Sequence, residues 1–365
     1  MLRRNGEKTM NSKGKATLDD VARLAGVSSA TVSRALSRPD LVQRETREKV
    51  GEAVRRLNYV PGGAARALAS GRTLTIGAVV PTLDHAIFAR AIQAMQTELA
   101  ANGYQLLVAA HEYSPEQEAV SVRALLARGV DALMVVGADH LQETWDVLGA
   151  ATVPVILSWS FDPRFASIGF DNEAAGRQVA EHLLALGHRR FGVISGYTGS
   201  NDRARLRVAG VRAALAAAGL DLPEKCVVQQ SFTLTGGRAG MAELLSHTPP
   251  PTAIIGGNDL LAVGALFEAQ ARGIPVPQAV SIVGIDNLEI ASHVTPPLTT
   301  MHLPTAQLGR TVAAHLLAEL KGVRQEKWSE LPIELILRDS TASPPQEQGQ
   351  RPDSREQIKP RRGRG

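Results

Sequence analysis

Long apolar runs are missing from this chain of 365 residues. No stretch reaches the roughly eighteen consecutive apolar residues that a membrane-spanning helix needs, so a role within a bilayer is not expected. The amino terminus, Leu2-Arg3-Arg4-Asn5-Gly6-Glu7-Lys8, is basic but no apolar stretch follows it, so it does not read as a secretory signal. Cysteine occurs once, at Cys226, which excludes an internal disulfide and fits a reducing cytoplasm. That thiol opens an apolar run with Val227 and Val228 and reads as part of a buried strand rather than as a nucleophile. Aromatic residues make up only 4% of the chain. The histidines His111, His182, His188, His293 and His302 lack the spacing of metal ligands, and no nucleophile elbow or phosphate loop is present. Neither a metal, a cofactor nor catalysis is therefore expected.

What is present is unevenly distributed. The net charge of +4 conceals a basic head: residues 1–72 hold 15 Lys and Arg against 7 Asp and Glu, the remainder 25 against 29. A basic segment joined to a nearly neutral body suits a polyanionic partner. Between Thr17 and Tyr59 the pattern is helical with short breaks. Thr17 can cap a helix that starts at Leu18, with Asp19 and Asp20 at the positive end of its dipole and Val21, Leu24 and Ala25 on its apolar face. Gly26 ends it. Ser28 or Ser29 can cap a second helix over Ala30–Leu36, and a third runs from about Gln43 to Leu57. This is the outline of a helix-turn-helix, whose second helix aims its first turn into the major groove. Ser28, Ser29, Thr31 and Ser33 can bond phosphates or bases, Ala30 can meet a thymine methyl, and Arg34 can grip a guanine by two bonds.

From Leu74 onward, about ten continuous apolar strands alternate with amphipathic helices, for example Thr75–Val80 before Ala89–Leu99 and Ser281–Ile285 before Thr305–Leu320. Such alternation indicates an α/β core of doubly wound parallel sheets, covered on both faces, in two lobes with a cleft between them. Residues 1–16 and 341–365 read as polar, Pro- and Gly-rich tails. The second lacks heptads, so no coiled coil is expected there.

The run Thr17 to Arg34, with Thr46-Arg47-Glu48-Lys49-Val50 and Leu57-Asn58-Tyr59-Val60-Pro61, resembles the LacI/GalR repressors. The likeness resumes at Gly257-Asn258-Asp259, Ser281-Ile282-Val283-Gly284-Ile285-Asp286 and Pro297-Leu298-Thr299-Thr300, covering residues 17 to about 338. It implies a head over 17–61, a hinge helix within 62–73, and a two-lobed periplasmic-binding-protein-like core over 74–340. It further implies a homodimer that reads a pseudo-palindromic double-stranded operator through Thr17, Ser28, Ser29, Ala30, Thr31, Ser33, Arg34 and Thr46. In the hinge, the resemblance implies that Ala65 lies at the DNA and that Leu68 wedges into the minor groove. The chain departs from the pattern at Gly62-Gly63, where helix formation is weaker by about 1 kcal/mol per glycine.

For the cleft, the resemblance implies a sugar or sugar-acid effector bound by Asp84, His85, Ile87, Arg203, Arg207, Phe232, Asn258 and Asp286. Arg207, Asn258 and Asp286 bond a polyol or anion there, and Phe232 stacks on it. Within the family, Pro81-Thr82-Leu83, Phe88-Ala89, His111, Phe170-Asp171-Asn172 and Gly187-His188 resemble gluconate-utilisation repressors, so the effector expected is an aldonic acid held by Arg207 with help from Arg203 or His85. A sugar-binding protein of the periplasmic kind shares the core but has a signal peptide and no basic head. A cytoplasmic sugar-binding protein without specific DNA recognition is the remaining alternative.

Overall fold

The computed structural model describes residues 16–60 and 71–345. The hinge residues Ala65 and Leu68, and the glycine pair Gly62-Gly63, lie outside the described residues. The head consists of α1 (Leu18–Ala25), α2 (Ser29–Ser37) and α3 (Arg44–Arg56). Thr17 and Asp20 form a reciprocal cap: the Thr17 side chain accepts from the Asp20 N–H, and the Asp20 carboxylate accepts from the Thr17 backbone. Gly26 ends α1 at φ 68°, a left-handed conformation that a side chain resists. The head core is small: Val21, Ala22, Val32, Ala35, Val50 and Ala53 are buried. Leu24 does not join it. Its side chain is 41% exposed, because a helix this short turns one narrow stripe inward and Val21 and Ala22 occupy it.

In the core the strands are β1 (Thr75–Val80), β2 (Gln105–Ala110), β3 (Ala132–Val136), β4 (Val155–Trp159), β5 (Ala166–Gly169) and β6 (Phe191–Ser195). They continue as β7 (Val227–Gln229), β8 (Ala253–Gly256), β9 (Ser281–Asp286), β10 (Thr299–His302), β11 (Trp328–Glu330) and β12 (Glu334–Ile336). The helices are α4 (Ala86–Ala101), α5 (Pro115–Ala127), α6 (Gln142–Gly149), α7 (Asn172–Ala185), α8 (Asp202–Ala217), α9 (Leu234–Leu245), α10 (Asp259–Ala271) and α11 (Thr305–Leu320). Two six-stranded sheets result, ordered β11-β5-β4-β3-β1-β2 and β12-β10-β9-β8-β6-β7. Their pairings are parallel apart from β10 with β12.

The chain passes between the lobes three times: after β5, after β10 and between β11 and β12. The second passage returns α11 to pack on α4 of the first lobe. Because three separated segments tie the lobes together, they can rock about this side while the opposite edge opens.

Several expectations need correction. Among the described residues twelve strands replace about ten, since β5, β11 and β12 are short. Cys226 ends a turn of 3₁₀ helix (Glu224–Cys226) before β7 rather than lying in the strand, and it is half-buried with its Sγ 3.9 Å from His247 Nδ1. The second tail begins later than residue 341. Thr341 Oγ1 bonds His182 Nε2 at 3.0 Å, and Ala342 N–H donates to Ser281 Oγ at 3.0 Å, so side chains of the second lobe anchor both residues.

Candidate functional site

Two places bring together the residues singled out in the sequence. The first is the start of α2. Ser28 precedes it in extended conformation and its Oγ accepts the Thr31 N–H at 3.2 Å, while the two hydroxyls lie 2.9 Å apart. Thr17 plays the same capping role for α1. These side chains hold helix ends in place and carry less reading capacity than their residue types imply. Ser29 Oγ donates to Asp19 Oδ1 of α1 at 2.5 Å. Helical spacing sets Ser29 above Ser33 and Ala30 above Arg34, so the four share one side of α2. Ala30 and Arg34 are exposed, and Arg34 makes no ion pair among the described residues. Thr46, in the first turn of α3, is half-buried.

The second place is the cleft, where strand ends of both sheets converge on a small, nearly closed space. His85 and Ile87 follow β1, Tyr113 follows β2 and Trp159 ends β4; Asn201, Arg203, Ala204 and Arg207 come from the start of α8. Phe232 follows β7, Asn258 follows β8 and Asp286 ends β9. Its place beyond the carboxyl ends of parallel strands is where such folds bind ligands. Seven of the eight expected effector residues line it. Asp84 does not: it is solvent-exposed, and the turn closed by Thr82 Oγ1 accepting its N–H directs it outward.

Arg207 is almost wholly buried. Its Nε donates to Asn172 Oδ1 at 3.1 Å and its Nη1 to the Gly257 carbonyl at 2.7 Å, with Asp286 Oδ1 at 3.8 Å. Asn172 in turn donates to the carbonyls of Trp159 and Phe170, so one amide ties the guanidinium to the first passage between lobes. Burial pushes the Asp286 carboxyl up to about 7, although Arg207 beside it acts in the opposite sense. Asp286 has φ 124°, and its Oδ1 is buried without a hydrogen-bond partner. Trp159 Nε1 is likewise buried and unpartnered, on a residue at φ 66°. One orphan acceptor and one orphan donor thus belong to residues that line the same space, and left-handed backbone at both positions stores strain where a ligand would repay it.

Arg203, also buried, donates to Asp202 Oδ1 at 2.8 Å. Asn258 caps α10, its Oδ1 accepting the Leu261 N–H at 2.9 Å, which leaves its amide donors for the cleft. The Tyr113 hydroxyl lies 3.2 Å from His85 Nδ1, and the Phe232 ring stands 5.8 Å from that of Tyr113 and 5.9 Å from that of His85. Burial raises Tyr113 to about 12 and lowers His85 below its ordinary value, so the pair is a neutral phenol beside a neutral imidazole. His85 is therefore not a second cation for an acid, and that part falls to Arg203. At the cleft mouth Asp202 Oδ2 accepts the Ala138 N–H at 3.0 Å, and Arg205 grips Asp139 by two bonds of 2.6 and 2.7 Å, joining the lobes.

The sequence reading missed Tyr113, Trp159 and Asn201. Tyr113 carries the same signal as Phe232, an aromatic a few residues past a strand end, and Trp159 closes an apolar strand with an indole. Among the described residues no helix is long and apolar enough to cross a membrane, and no group of His, Cys, Asp and Glu could hold a metal ion.

Residues 17–62 match the model of bacterial regulatory proteins of the lacI family, and residues 180–341 that of a periplasmic binding protein-like domain. The chain is 32% identical over 334 residues to the HTH-type transcriptional repressor PurR of Haemophilus influenzae, covering 90% of this chain and 99% of that protein. It is 34% identical over 300 residues to the ribose operon repressor of Escherichia coli K12, covering 80% and 90%. Its fold superposes on the lac repressor dimer bound to operator and the anti-inducer ONPF with a TM-score of 0.81 and 32% identity, covering 90% of this chain and all of that one (100%). With a helix-turn-helix head, a two-lobed core and relatives matched along nearly their whole length, the chain belongs to the LacI family of DNA-binding transcriptional regulators.

Proposed function

We propose that this regulator is a homodimeric repressor of sugar-acid utilisation genes, released from a pseudo-palindromic operator by gluconate or a close relative held in the cleft. The observation that carries the ligand class is the pair of buried guanidiniums, Arg203 and Arg207, facing a cavity that also holds the orphans Asp286 Oδ1 and Trp159 Nε1. Arginine pairs with a carboxylate in fork geometry, a hydroxyl can donate to Asp286, and a second oxygen can accept from Trp159. Burial disfavours the charge of Arg207, so an anionic ligand supplies what the free site lacks. Phe232 and Tyr113 offer apolar faces to the C–H surface of a polyol. The resemblance of Phe88-Ala89, His111 and Gly187-His188 to gluconate-utilisation repressors points the same way.

The ionisation of Asp286 gives this reading a pH signature. An anion bound beside Asp286 favours its protonated form, so binding takes up a proton and tightens as pH falls through about 7. Gluconate should bind several-fold more tightly at about pH 6 than at about pH 8, approaching the tenfold per unit that one coupled proton allows. Isothermal titration across that range checks it, and Asp286→Asn should flatten the profile.

The reading as a whole is tested by titrating upstream DNA with the protein in the presence of gluconate, ribose or a purine base. Dissolution of a salt-sensitive specific complex by gluconate alone supports repressor and ligand together. Release by ribose or the purine instead would retain the repressor and discard the acid. Absence of any selective complex would favour a sugar-binding protein without DNA recognition. On the DNA side, Arg34→Met should lower specific affinity by roughly ten- to a hundredfold while leaving non-specific binding within a few-fold, since one bidentate guanine contact is worth about 1–3 kcal/mol. Competition against random-sequence DNA separates the two.

A further inference from the structure

The bond between Ser29 and Asp19 has a consequence for which bases the head can read. Ser29 occupies the first helical position of α2, and its hydroxyl proton is committed to Asp19 Oδ1 at 2.5 Å. A serine normally reads either a donor or an acceptor by rotating its O–H. With the proton held by a carboxylate, only its oxygen lone pairs face outward. Asp19 itself is exposed, and an ionised carboxylate has only acceptors. The side chains next to Ser29 on the first turn of α2 do not bond to this pair. Ala30 carries no donor, and Ser28 and Thr31 bond one another across 2.9 Å with Ser28 also capping the helix. Of the other nearby acid and base, Asp20 is engaged by Thr17 and by Arg23, whose guanidinium lies 3.1 Å from it.

We infer that Asp19 and Ser29 form an acceptor-only reading pair: Asp19 fixes the Ser29 proton, and together they select an exocyclic amino group in the major groove, the N4 of cytosine or the N6 of adenine. Guanine O6 and N7 and thymine O4 present lone pairs to these two oxygens and are repelled by them. The assignment rests on α2 entering the major groove, as in the function proposed above. Asp19 here is a positioning residue, acting through the hydroxyl of Ser29. Its removal frees that hydroxyl to donate, so the expected outcome is altered base choice rather than loss of binding.

The experiment begins with selection from random duplexes by the full-length protein and by Ser29→Ala, which locates the base pair whose preference depends on Ser29. At that pair, two kinds of analogue are compared. One replaces the amino group by hydrogen (2-pyrimidinone for cytosine, unsubstituted purine for adenine), and the other removes the purine N7 as a 7-deaza base. Loss of the amino group should weaken the unmodified protein about tenfold, the scale of one charge-assisted hydrogen bond, and the 7-deaza base should change little. In Asp19→Asn the asparagine amide can donate to Ser29 Oγ, releasing the hydroxyl, so the amino-group penalty should shrink to under about twofold with overall affinity retained. A larger penalty from the 7-deaza base, or an unchanged analogue pattern in Asp19→Asn, overturns the inference. A selected operator with no Ser29-dependent position also overturns it but leaves the major-groove reading of α2 standing. Failure to select any operator removes both.

Discussion

Gly210→Val is expected to force α7 and α8 apart, costing about 3 kcal/mol or more of stability and taking the effector response with it. A Cβ at Gly210 would lie 1.9 Å from the Glu173 carbonyl oxygen and 2.7 Å from the Arg177 nitrogen. Opposite it, a Cβ at Gly176 would lie 1.9 Å from the Arg207 carbonyl oxygen. In both cases the obstacle is backbone, which cannot rotate away as a side chain can, so one helix must move. Real cores seldom tolerate even one added methylene without strain. The displacement bears on function because Arg207 stands on α8 and its partner Asn172 begins α7. Separating the helices stretches the 3.1 Å bond between them and withdraws the guanidinium from the Gly257 carbonyl. Urea melts and ligand titration on the same sample read the two effects. Gly149→Ala serves as the control: nothing lies within 4 Å of the Cβ it would add, so a neutral or slightly stabilising change is expected. A Gly210→Val protein that melts like the parent would show that these helices have slack, and the account of how Arg207 is held would fall.

The same close approaches explain what was legible in the sequence and what was not. Apolar periodicity and caps placed the helices Leu18–Ala25, Ser29–Ser37 and Thr305–Leu320 to within a residue or two, because local chemistry sets those boundaries. The helix Leu234–Leu245 escaped notice. Its Gly236, Gly237 and Gly240 weaken the local signal, since each glycine weakens an isolated helix by about 1 kcal/mol. They are there for tertiary reasons: a Cβ at Gly237 would strike the Leu261 carbonyl oxygen at 2.3 Å, and one at Gly264 the Leu234 carbonyl oxygen at 2.2 Å. Likewise the strands Trp328–Glu330 and Glu334–Ile336 carry too few residues to show alternation, and they pair with strands far away in the chain.

In the cleft the residues at strand ends were readable as a set, while their protonation and engagement were not. Asp286 at φ 124° and the neutral state of His85 depend on burial, which no local pattern records. The caps Thr17 and Ser28 show the converse limit. The sequence marked both as caps and the family resemblance added them as DNA contacts, but their hydroxyls are already bonded within the head.

Arg207→Leu should abolish the effector response by a factor of a hundred or more, about 2.7 kcal/mol of binding, while the protein still folds and still binds its operator. Removing a buried cation usually strands its partner at a cost of several kcal/mol. Here the partner can neutralise itself. Asp286 is already pushed up to about 7 by burial, and Arg207, ahead of Arg90, is the charge that holds it down, so in the variant it rises further and stays protonated at neutral pH. What remains uncompensated is the Gly257 carbonyl and Asn172 Oδ1, two buried acceptors at roughly 1–3 kcal/mol each. The destabilisation should therefore be real but survivable, and deeper at about pH 8.5 than at pH 6. A group whose folded pKa is raised loses its stabilising contribution as pH climbs through that value. Arg203→Leu makes the informative comparison. Arg203 engages Asp202 rather than the Gly257 loop, so its loss should weaken anionic ligands and spare neutral sugars, whereas loss of Arg207 should weaken both. Operator release measured with gluconate and with a neutral sugar on the two variants separates charge recognition from positioning. If the Arg207→Leu repressor still lets go of its operator at the parental ligand concentration, the signal does not originate in this cleft.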